Sequence, residues 1–162
     1  MTSGDMVRRA RERVGTGPRP GPRPSTALAV VTCMDTRIDP FQLFRSQTGD
    51  IHTIQNAGGL VTGDVIRSLL ISQRYLGTRR VAIVMHTDCG LLRLDSAAEA
   101  SAIFNETRME LPFDLGGFSD LHQRLAESVR MVRTTPLLPH RDEVRGYIYD
   151  VDTQRLAEVP ID

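Results

Sequence analysis

The chain alternates between short unbroken apolar runs and longer stretches in which apolar positions recur every three or four residues. Ala27 to Thr32 (ALAVVT) and Arg80 to Met85 (RVAIVM) are of the first kind. Runs of that length with no polar side predict strands buried on both faces, as in a parallel sheet. Asp50 to Ile54 predicts a shorter strand leading to the glycine turn Asn56-Ala57-Gly58-Gly59, Val144 to Tyr149 a last inner strand, and Leu156 to Val159 a weak edge. Between them, Val65, Ile66, Leu69, Leu70, Gln73 and Leu76 fall at helical spacing within Asp64 to Leu76, and Gly77 supplies the stop. Ala97 to Glu110 and Ser119 to Arg133 predict two more helices, the second with Ser119 as N-cap and Pro136 beyond its end. Strands joined by helical crossovers predict an α/β fold: a single domain with a mainly parallel β-sheet flanked by helices. A length of 162 residues suits one such domain.

Residues 1–25 break the pattern. Met1 to Val14 can form a short basic helix without a broad apolar face, whereas Gly15 to Pro24 (GTGPRPGPRP) excludes helix and central strand and predicts an extended linker. The expected division is an N-terminal basic arm with its Gly/Pro linker over residues 1–25 and an α/β catalytic domain over residues 26–162. The chain's 20 basic residues, all Arg, balance its 20 acids, so the whole molecule offers no field for nucleic acid. The arm's six Arg against two acids are too small an excess for a nucleic-acid tail and fit better a segment packed across a partner subunit or left loose. Thr26 to Met34, the longest uncharged apolar stretch, is far shorter than the roughly 20 residues that span a bilayer, and no signal-peptide run opens the chain, so a cytoplasmic protein without membrane contact is expected.

The chain's two cysteines follow the two strongest strand predictions: Cys33 after ALAVVT, and Cys89 after RVAIVM within His86-Thr87-Asp88-Cys89-Gly90. Ligands of open parallel sheets sit at the carboxyl ends of strands. If the two strands are neighbours, Cys33, His86 and Cys89 converge and offer two thiolates and one imidazole, the protein donor count of a catalytic zinc site with its fourth position open. Inert buried thiols and a Cys33–Cys89 disulfide are the alternatives, the latter disfavoured in a reducing compartment. In an extended Cys33-Met34-Asp35-Thr36-Arg37, alternate residues share a face, which would send Asp35 and Arg37 into the same crevice. There Asp35 can accept a hydrogen bond from a metal-held water while Arg37 keeps it ionised. Of the remaining histidines His52, His122 and His140, only His52 is expected beside that crevice as a proton carrier.

Cys-x-Asp-x-Arg at residues 33–37, the Asn56-Ala57-Gly58-Gly59 pocket turn and His-x-x-Cys-Gly at residues 86–90 together resemble the β-class carbonic anhydrases, over about Thr26 to Val159. The surroundings Val-Thr-Cys-Met-Asp and His-Thr-Asp-Cys-Gly are similar to those of short, actinobacterial-like members. The resemblance implies a sheet of order 2-1-3-4 and one Zn2+ per chain on Cys33, His86 and Cys89. It also implies an Asp35–Arg37 catalytic pair and reversible hydration of carbon dioxide to bicarbonate and a proton by zinc-bound hydroxide. In an inactive state Asp35 would itself become the fourth metal ligand. Family members assemble as homodimers or dimers of dimers, with an arm laid over the partner. Two positions depart from the pattern: Gln55 stands where many members have Arg, and Leu91 where they have a second Gly. A carbon disulfide or carbonyl sulfide hydrolase on the same scaffold, and a non-catalytic zinc-binding or thiol-redox protein, remain as alternatives.

Overall fold

A computed structural model describes residues 20–162 together with Ser3, Asp5, Met6 and Arg8. The expected helix at Met1 to Val14 and most of the linker at Gly15 to Pro24 therefore lie outside the described residues, save those four N-terminal positions, which are helical, and residues 20–24. Five strands, β1 (Leu28–Cys33), β2 (Ile51–Asn56), β3 (Arg80–His86), β4 (Val144–Asp150) and β5 (Arg155–Val159), form one sheet of order β2-β1-β3-β4-β5. The first four pair in parallel and β5 is antiparallel to β4. The expected order 2-1-3-4 is thus present, extended by an antiparallel edge. Tight turning at residues 151–154 makes that edge a hairpin, which needs no crossover.

Within residues 20–162 the α-helices are α1 (Pro40–Leu43), α2 (Gly63–Leu76), α3 (Ser96–Thr107) and α4 (Leu121–Thr134). Helix α2 begins where Thr62 caps the Val65 amide and ends where Gly77 takes φ 81°, a left-handed conformation that a residue without Cβ adopts cheaply. Asp120, and not Ser119, caps α4, its carboxylate accepting from the Gln123 amide. Two candidate caps stand side by side there, and only the backbone conformation chooses between them. Helix α3 stops at Thr107, short of the expected Glu110, because Arg108 turns left-handed at φ 59°. None of its residues is buried, so its end is set by local geometry and not by packing.

One face of the sheet carries Ala29, Val31, Val81, Ile83 and Met85, which pack with Val65 and Leu69 of α2 and with Leu125, Val129 and Val132 of α4. Burying each such Val or Leu contributes about 1.5–3 kcal/mol. The other face gathers Val30, Ala82, Val84 and Tyr149 with Cys33 and Cys89, under α1 and loops. Among the described residues no helix is long and apolar enough to cross a membrane.

Candidate metal centre

Register positions the centre. Cys33, the last residue of β1, lies beside Asn56 of β2, while Thr32 lies beside Val84 of β3, so three strands end together. The sheet thereby brings Cys33, His86 and Cys89 to one point, with their donor atoms all within 4.8 Å of one another. All three are buried, at 6%, 0% and 6% exposure, and both cysteines are free thiols. His86 Nδ1 donates to the Thr87 carbonyl at 2.8 Å, which fixes the ring tautomer and leaves Nε2 as a lone-pair donor. Nε2 is buried and has no partner.

That orphaned nitrogen is the test of fit for a metal. A buried acceptor without a partner costs roughly 1–3 kcal/mol, and here it stands beside two sulfurs. Burial keeps the His86 imidazole neutral by lowering its pKa, and burial together with the neighbouring Cys33 raises that of the Cys89 thiol. A neutral imidazole ready to bind and two buried sulfur donors form a set matched to zinc and unsuited to hard, oxygen-seeking ions. The residues fit.

Asp35 and Arg37 also reach the centre, but not by strand alternation. The segment after Cys33 is a tight turn closed by the Ile38 amide on the Asp35 carbonyl at 3.0 Å and by the Arg37 amide on Asp35 Oδ1 at 2.9 Å. The expectation of an extended segment is corrected: a side chain that accepts a backbone amide two residues on selects a turn over a strand. From that turn Arg37 grips its partner sideways, Nε on Oδ1 at 2.9 Å and Nη2 on Oδ2 at 2.8 Å. These contacts hold the Asp35 carboxyl far below the usual carboxylate range and push the Arg37 guanidinium well above its own. Arg37 also donates to Asp88, through Nη1 to Oδ2 at 2.8 Å and Nη2 to the carbonyl at 3.0 Å.

The four residues of the glycine turn make different contacts. Asn56 closes it by donating to the Leu60 carbonyl and accepting the Leu60 amide. Ala57 and Gly58 line an open cavity of about 470 Å3, together with Cys33, Asp35, Arg37, Cys89 and Leu91. Gly59, at φ 65°, lies so near the end of β1 that a Cβ would stand 2.9 Å from the Cys33 nitrogen. Gln55, one of the two departures, donates to the Cys33 carbonyl at 3.2 Å, and Leu91, the other, packs where a Gly58 Cβ would fall.

His52 is the residue misplaced by sequence reasoning. It lies beside Ala29, toward the start of β2, its Nε2 donating to the Pro22 carbonyl at 2.9 Å and its Nδ1 facing the Ser72 hydroxyl at 2.8 Å. Among the described residues no histidine lines the cavity. Asp88 is the residue that sequence reasoning passed over, although its place inside His86-x-x-Cys89 marked it as an acid between two donors.

A mainly parallel α/β sheet that presents a buried Cys2His set to an open cavity fits the class of mononuclear zinc enzymes whose site lies at strand ends. The family model for carbonic anhydrase matches residues 28–110. The chain is 40% identical over 143 residues to the beta-carbonic anhydrase 1 of Mycobacterium tuberculosis, covering 88% of this chain and 87% of that one. It is 35% identical over 156 residues to a carbon disulfide hydrolase of an Acidianus species, covering 81% and 76%. Its fold superposes on the crystal structure of a carbonic anhydrase from Streptococcus mutans with a TM-score of 0.89 at 35% identity, over 99% of each chain. The chain belongs to the β-carbonic anhydrase family.

Proposed function

We propose that this chain catalyses the reversible hydration of carbon dioxide to bicarbonate and a proton, with one zinc ion held by Cys33, His86 and Cys89. The observation that carries the reading is the buried convergence of those three donors, with His86 Nε2 unpartnered, beside an open cavity. When bound, zinc supplies the Lewis acidity that lets a water molecule give up a proton near neutral pH. The chain's own residues do the rest. Thr87 aims His86 through its carbonyl. Asp35 Oδ1 accepts two Arg37 N–H groups and Oδ2 one, so a lone pair of Oδ2 is the acceptor that orients the reacting water. Ala57 and Leu91 give neutral carbon dioxide an apolar wall to rest on. With no histidine on the cavity among the described residues, the released proton passes to solvent buffer through its open mouth.

Zinc content and carbon dioxide hydration measured on one purified sample test this: about one zinc per chain with turnover is expected, and zinc without turnover rejects the catalytic part. The carbon disulfide hydrolase relative favours a second reading, in which the same donors and the same Asp35 act on carbon disulfide or carbonyl sulfide. Parallel assays with the three substrates separate the two. A purely structural zinc site closes its fourth position with a protein ligand, and Arg37 holds Asp35 away from that role, which speaks against a non-catalytic or thiol-redox protein. Freed from Arg37, Asp35 would become the fourth ligand of an inactive state. Arg37→Ala is expected to populate it, retaining zinc while losing activity.

A cytoplasmic homodimer, or a dimer of dimers, completes the proposal, with residues 1–25 as an arm on the neighbouring subunit and residues 26–162 as the catalytic domain. Its support is the Gly/Pro composition of residues 15–24, which gives an extended segment with no fold of its own; the Ser25 amide, at the arm's end, donates to the Gly49 carbonyl at 2.9 Å. Deleting Met1 to Arg23 is expected to weaken association in analytical ultracentrifugation. Equal association of the truncated chain would reduce the arm to a tail.

A further inference from the structure

Arg37 ties the turn that follows Cys33 at the end of β1 to Asp88, 51 residues further on, in the loop that carries Cys89. Toward its own loop it presents Nε and Nη2 to Asp35; toward the loop after β3 it presents Nη1 to the Asp88 carboxylate and Nη2 to the Asp88 carbonyl. Asp88 receives it from a left-handed backbone at φ 54°, a conformation that Asp tolerates better than most residues. The Asp88 side chain is 78% exposed, and an ion pair so open contributes little to stability. Its effect is on direction. A guanidinium is a planar fork, so anchoring Nη1 on one carboxylate fixes where Nε and Nη2 point.

We infer that Asp88 is a positioning residue for the reaction: by anchoring the far side of Arg37 it keeps the guanidinium turned toward Asp35, which holds the Asp35 carboxylate away from the fourth metal position and over the cavity. The inference rests on the carbonic anhydrase reading for its consequence in turnover, while the clamp itself is a property of this chain. Without the Asp88 carboxylate, Arg37 keeps only the Asp88 carbonyl on that side and can swing toward solvent. Asp35 then loses its partner and competes with water and small anions for the open coordination position.

The test uses the full chain loaded with cobalt(II), whose visible absorption reports the occupant of that position, titrated with azide. Asp88→Ala is expected to weaken azide binding and to lower kcat/KM for carbon dioxide by about tenfold, the low end of what losing a partner of a metal-site residue costs. Cobalt content should be unchanged, because no donor is removed. Asp88→Asn, which still offers an oxygen to Nη1, is expected to restore most of both. In an Asp35→Ala background, adding Asp88→Ala should change azide affinity by less than about twofold, since the carboxylate through which Asp88 acts is gone. Azide affinity in Asp88→Ala equal to that of the wild type, or an equal loss with and without the Asp35 carboxylate, overturns the clamp. A wild-type chain that binds cobalt and azide but hydrates no carbon dioxide overturns the functional reading alone, and the azide comparison still decides the clamp.

Discussion

On one face of the sheet Ala29, Val31, Val81, Ile83 and Met85 lie under two helices of 14 residues each, and every buried side chain meets another hydrocarbon. On the other face Val30, Ala82 and Val84 lead toward two thiols and an unpartnered imidazole nitrogen, covered by a helix of 4 residues and by loops. The core of the first face is hydrocarbon against hydrocarbon. The second leaves a donor set unsatisfied at the ends of its strands, which is tolerable only because the first supplies the stability and a ligand can supply the missing partner. The division also explains why the chemistry collects in loops: turns free of helix cover can aim Asp35 and Arg37 at a point that strand alternation alone does not reach.

If the faces divide the work in this way, a substitution on either should leave the other's property standing. The largest effect is expected from Cys89→Ser, which removes a donor outright. Metal affinity should fall by more than about 100-fold, beyond the cost of losing an outer partner, while the unfolding midpoint of the metal-free chain stays near that of the wild type. Elemental analysis and metal-free thermal melts check both halves, and full metal retention would remove Cys89 from the donor set.

Leu69→Ala is the complementary change. Leu69 of α2 is fully buried against the sheet, and its truncation should cost about 2–5 kcal/mol in denaturant unfolding. Zinc stoichiometry of the folded fraction should not change. A variant that lost zinc in proportion to stability would mean that the two faces are one cooperative unit.

The smallest effect concerns the β2 edge, outside both faces. Asp50 accepts the Ser25 hydroxyl and the Gln47 amide, and these bonds hold its carboxyl below the usual range. A folded-state value depressed in this way stabilises the native chain above the unfolded carboxylate's pKa of about 3.9, and that contribution is lost as pH falls through the lower folded value. The wild-type melting temperature should therefore drop more steeply below about pH 4 than that of Asp50→Asn. Parallel slopes would show that the arm's anchor is electrostatically silent.

Much of this protein is determined by its sequence, and the reason is local. Short unbroken apolar runs between turn signals favour strands buried on two faces, Gly77 after a helical pattern favours a helix end, and two cysteines and a histidine after such strands meet once the strands pair. Only the tertiary structure decided the rest, because it depends on where side chains point after residues distant in sequence have met. Asp88 met Arg37 across 51 residues, and no periodicity records a guanidinium's orientation. His52 had the right strand, but the register carried it to the wrong end of the sheet and gave its ring to Ser72 and Pro22. Asp35 reached the centre through a turn that its own carboxylate stabilises, a choice between strand and turn that residue spacing leaves open.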